Sequence, residues 1–140
     1  MQAEIITNNP DIEGLAPKEF SLVLMEGSTA KAVLTAARDR IHLGAKLLAH
    51  PMAGRLRPNE TPYRTVVLDL GQENASASSA HRRPQDTHID LTSLEIIEYC
   101  LAEEEKYAPM RIKYDAQLLP DLQFISCEIF RSILEELKVR

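Results

Sequence analysis

Apolar and polar positions along this chain fall into blocks whose spacing alternates between strand-like and helix-like. Ala3-Glu4-Ile5-Ile6-Thr7 reads as a short strand closed by the turn cluster Asn8-Asn9-Pro10. Phe20-Ser21-Leu22-Val23-Leu24-Met25 is a second, nearly continuous apolar run, suited to a strand covered on both faces. Between them, residues 11–18 are weakly patterned and interrupted by Gly14 and Pro17, with room for a helical turn. Glu26-Gly27-Ser28-Thr29 opens a helix that either Ser28 or Thr29 can cap. Ala30, Val33, Leu34, Ala37 and Ile41 give it one apolar stripe, and Gly44 ends it as a left-handed residue does. Residues 46–49 and 65–70 are further strands. A second helix is capped by Asp90 or by Thr92, the latter with Glu95 in a capping box, and buries Leu94, Ile97 and Leu101. Its Glu103-Glu104-Glu105 run reads as a solvated face. Met110-Arg111-Ile112 is a candidate edge strand. Pro120 suits the first turn of a last helix, with a seam of Leu122, Ile125, Ile129, Ile133 and Leu137 widened by Phe130 and Leu134. That face is broad enough to dock on a sheet or a partner chain.

Strands alternating with helices predict a single α/β domain over residues 1–140. The expected architecture is small and Rossmann-like, a largely parallel sheet of about four strands flanked by helices. Composition adds exclusions. A net charge of −5 argues against a general nucleic-acid binder, which shows a basic surplus. No apolar run approaches a membrane span and no leader pattern is visible, so a cytoplasmic protein with no membrane partner is expected. Cys100 and Cys127 sit in helix-like apolar patterns and read as buried free thiols. Residues 72–87, with Asn74-Ala75-Ser76-Ala77-Ser78-Ser79-Ala80 at their centre, hold few apolar anchors and predict a mobile loop.

The candidate chemistry gathers in residues 50–63. Three prolines, Gly54, His50, Arg55, Arg57, Asn59 and Glu60 stand between two strand-like runs. A hairpin needs only a few residues, so a connection this long and this rich in proline and polar groups points to a site. In a parallel α/β sheet, ligands bind where loops meet at the carboxyl ends of strands. Three polar clusters are expected there: Asn8-Asn9, Gly27-Ser28 and the segment from His50 onward. The Gly27-Ser28 helix start offers free N–H groups to an anion; an ordinary helix cap is the plainer reading. Asn8 and Asn9 can bond their own turn or present amides to a ligand. Arg55, Arg57 and Arg64 can clamp a carboxylate or phosphate, or pair in solvent with Glu60. No cofactor is expected. The glycine fingerprint of a dinucleotide site and the lysine of a phosphate loop are missing, and His42, His50, His81 and His88 lack a metal-ligand spacing.

Several of these strings resemble one family. Ile5-Ile6-Thr7-Asn8-Asn9-Pro10, Ala37-Arg38-Asp39 with Ile41-His42, and Lys46-Leu47-Leu48-Ala49-His50-Pro51 through Pro58-Asn59-Glu60-Thr61-Pro62-Tyr63 are similar to the GrdX family. These are short proteins encoded among the components of glycine, sarcosine and betaine reductase systems. The string Pro58-Asn59-Glu60-Thr61-Pro62-Tyr63 is the most specific part. Residues 72–87 look like an insertion, and Ala49 stands where a threonine is usual. The resemblance implies a reductase setting, with reductase components as possible partners, and no defined activity.

The expectation is therefore an accessory protein that binds a small anion through Asn8, Asn9, Gly27, Ser28, His50, Arg55, Arg57, Asn59, Thr61 and Tyr63. The alternative is a small hydrolase or transferase with His50 as general base and Glu60 orienting it. A homodimer formed through the last helix is a third possibility.

Overall fold

The computed structural model describes residues 2–54, 56–71, 88–110 and 117–139. Strands β1 (Ala3–Thr7), β2 (Ser21–Leu24), β3 (Lys46–Leu47) and β4 (Thr65–Asp69) form one sheet in the order β2-β1-β4-β3. Helices α1 (Ala30–His42), α2 (Leu91–Tyr107) and α3 (Leu118–Val139) pack on it, with short 3₁₀ turns at Pro10–Ile12 and Ala108–Met110. Met110 thus belongs to a turn. Arg55, the segment 72–87 expected to be a loop, and residues 111–112 of the expected edge strand lie outside the described residues.

The sheet is mixed, which overturns the expectation of a largely parallel, Rossmann-like sheet. Only β1 and β2 are parallel; β4 runs antiparallel to both β1 and β3. Two physical facts explain the error. Continuous apolar runs report that both faces of a strand are covered, whatever its direction. In addition, β3 and β4 are joined by a loop in which no helix is described, so β4 returns beside β3 as an antiparallel neighbour. Because β4 opposes both β1 and β3, strands β1, β2 and β3 still share one direction. Their carboxyl ends and the start of β4 meet at a single edge of the sheet.

Strand alternation splits the core into two layers. Ile6, Val66 and Leu68 face α1 and α2, packing with Val33, Leu34, Ala37, Ile41, Ile97, Cys100 and Leu101. Ile5 and Val67 face the other way, onto Ile12 and the Cys127, Phe130 and Ile133 side of α3. The α3 seam is rotated from the sequence expectation: Cys127 is buried, whereas Ile125 is 39% exposed and Phe124 64%. Glu104 is a second correction. It is buried at 2% exposure, because it continues the i, i+3, i+4 stripe of Ile97, Cys100 and Leu101. Arg64 is buried as well, and both charges act on the Cys100 thiol, Arg64 lowering its pKa and Glu104 raising it.

The helix starts are resolved in favour of one residue each. The Thr29 hydroxyl accepts from the Ala32 amide, leaving Ser28 outside the cap of α1. Asp90 caps α2, its carboxylate accepting from the amide and hydroxyl of Ser93. The Ser93 hydroxyl oxygen in turn accepts from the Leu47 amide at 2.9 Å, on the side of β3 away from β4.

Candidate functional site

The carboxyl edge is held together by three polar residues at the end of β1. Thr7 Oγ1 lies 2.8 Å from Thr65 Oγ1 and accepts from the Asn9 amide, linking β1, β4 and the following turn. Asn8 is 5% exposed. Its Nδ2 donates to the Ser28 carbonyl (3.0 Å) and the Pro62 carbonyl (2.8 Å), and its Oδ1 accepts from the Arg64 amide (3.0 Å). One amide group therefore fastens the β2–α1 connection and the β3–β4 loop to the end of β1. Asn9 does the same for α3. Its Oδ1 accepts from the Asp11 amide, opening the 3₁₀ turn, while Nδ2 donates to the Gln123 carbonyl at 3.1 Å and contacts Cys127 Sγ.

Around this clasp opens a cleft of about 570 Å³, lined by Asn8, Glu26, Gly27, Ser28, Thr29, Pro62, Tyr63 and, from α3, Leu119 and Gln123. It lies at the amino end of α1, where Ala30 also lines it. The first helical bond there runs from the Val33 amide to the Thr29 carbonyl. The amides of Ala30 and Lys31 thus precede any intrahelical acceptor and carry the positive end of the helix dipole. Gly27, at φ +81°, makes the turn into the helix. Partial burial, and behind it the Asp11 carboxylate, raise the Tyr63 phenol above its ordinary range. Glu26 adds an exposed carboxylate to the wall.

The rest of the 50–63 segment is placed differently. His50 is exposed; its Nδ1 accepts from the Met52 amide, and its ring meets Tyr99 edge-on at 6.5 Å between centroids. Glu60 Oε1 accepts from the Arg57 amide at 2.9 Å, and the Glu60 amide returns to the Arg57 carbonyl. Arg57 and Glu60 thus close a turn on themselves, and Glu60 is engaged there rather than on His50. Thr61 is buried, its hydroxyl accepting from the Tyr63 amide. Asn59 and the buried Arg64 sit within the loop's own packing, with Arg64 Nη2 donating to the Leu56 carbonyl. Below His50 lies a pocket of only about 30 Å³, shared with Thr61, Tyr63, Ser126 and Phe130. It has room for water but not for a metabolite. Of the residues expected at a site, Asn8, Gly27, Ser28 and Tyr63 line the cleft; His50 and Thr61 line the small pocket. Asn9, Arg57, Asn59 and Glu60 line neither. Pro62 lies in the 50–63 segment that the sequence singled out, whereas Leu119 and Gln123 were missed. The last two belong to a helix read only for its apolar seam.

The sequence profile of the GrdX family, described as GrdX-like protein, matches residues 4–135. The chain belongs to the GrdX-like family. No curated protein and no solved structure matches it. The match runs through every strand of the GrdX-like chain, through α1 and α2, and through most of α3. Among the described residues no helix is long and apolar enough to cross a membrane.

Proposed function

We propose that this GrdX-like chain is an accessory protein that holds a small anionic ligand, a carboxylate or phosphate, in the cleft at the carboxyl edge of its sheet. The observation that carries the reading is the convergence there of the open α1 amides, the Ser28 side chain left outside the helix cap, and the Tyr63 phenol. Backbone amides at a helix start suit an anion, and a neutral phenol can donate to it. Asn8 and Asn9 contribute by fixing the walls, since their amide hydrogens are already engaged. The resemblance to proteins encoded with glycine, sarcosine and betaine reductase components supplies the setting.

Titration of the ¹⁵N-labelled chain with inorganic phosphate and with acetate tests this. Saturable amide shifts confined to residues 27–31 and 63 are expected, and Ser28→Asp, which places a carboxylate at the same amides, should abolish them. Shifts that never saturate, or that persist in Ser28→Asp, would remove the site.

A further inference from the structure

We draw no further inference here: the strongest candidate, the groove between the 3₁₀ turn at Pro10–Ile12 and α3 that Asp11, Leu15, Pro120, Phe124 and Cys127 line, carries nothing, because nothing in the structure shows what covers it.

Discussion

Asn8→Ala should be among the most damaging single substitutions at the sheet edge, although it removes only a few atoms. It deletes the bonds to the Ser28 carbonyl, the Pro62 carbonyl and the Arg64 amide. Each is worth about 1 kcal/mol net, giving about 3 kcal/mol. The losses are not equal. Pro62 is half-buried and its carbonyl can reach water, whereas Arg64 is 4% exposed, so its N–H would be left buried without the side-chain acceptor. Since an orphaned buried donor costs about 1–3 kcal/mol by itself, that one bond dominates. Against a domain stability of roughly 5–15 kcal/mol the total is large. With a urea slope of roughly 2 kcal/mol per molar, the unfolding midpoint should fall by about 1.5 M. Asn8→Asp sharpens the test. The carboxylate keeps the acceptor for Arg64 but turns its other oxygen toward two carbonyls, so at neutral pH it should be at least as destabilising as alanine. Its carboxyl, desolvated and facing acceptors, should have a raised pKa, and the penalty should shrink as acid protonates it. The reasoning fails if Asn8→Ala lies within 1 kcal/mol of the parent. It also fails if Asn8→Asp is the milder variant at neutral pH.

Gly54→Ala should cost about 2 kcal/mol: φ is +91°, and an added Cβ would sit 2.8 Å from Ile129 Cγ1 and against its Cδ1. Gly27→Ala, at φ +81° with open space beside it, should show only the conformational part, about 1 kcal/mol, and equal losses in urea unfolding would refute the contact. Burial pushes the Cys100 thiol up to about 11 and raises Cys127 as well. The unfolded thiols ionise from about 9 while the native ones stay protonated. Stability should therefore fall as pH rises from 9 toward 11, and an aromatic disulfide reagent should react slowly with native protein at pH 8. The hydroxyl and then the amide of Ser93 lower the Asp90 pKa. That stabilisation is present above the unfolded value of 3.8 and is lost as pH falls through the folded one. Asp90→Ala should cost about 1 kcal/mol at neutral pH, and Asp90→Asn should keep most of the cap but lose its share of the acid dependence.

Elements were legible in this sequence where spacing alone decides them, and illegible where neighbours distant in sequence decide. β1, β2, β4 and all three helices follow from apolar periodicity and caps. Strand direction does not, because a strand covered on both faces looks the same running either way. Glu104 misled for a related reason. Its charge outweighed its place on the Ile97–Leu101 stripe, and the buried Arg64 belongs to a segment 40 residues earlier in the chain. At the candidate site, the sequence pointed to the loops after β1, β2 and β3; the first two and the last residues of the third, Pro62 and Tyr63, line one cleft. It did not assign work within that convergence. Asparagine amides read equally well as ligand donors or as fasteners, and only the positions of the Ser28, Pro62 and Gln123 carbonyls show the fastening.

That division of labour carries a consequence for the 48–64 loop. It leaves β3 three residues short of the sheet edge, packs Gly54 against Ile129 of α3, closes a turn at Arg57 and Glu60, and returns through Pro62 to the Asn8 clasp. The Gly54 and Pro62 contacts fix the loop to the framework, while the Arg57–Glu60 turn closes on itself at the surface. Among the described residues, the start of α1 and Tyr63 line the cleft, and none of the loop's charged side chains does. Glu26 is the one carboxylate among the described residues that line the cleft. Fastening and binding are therefore separable by residue: Asn8→Ala should lower stability first, whereas Ser28→Asp should leave the urea midpoint of the chain nearly unchanged and abolish phosphate binding.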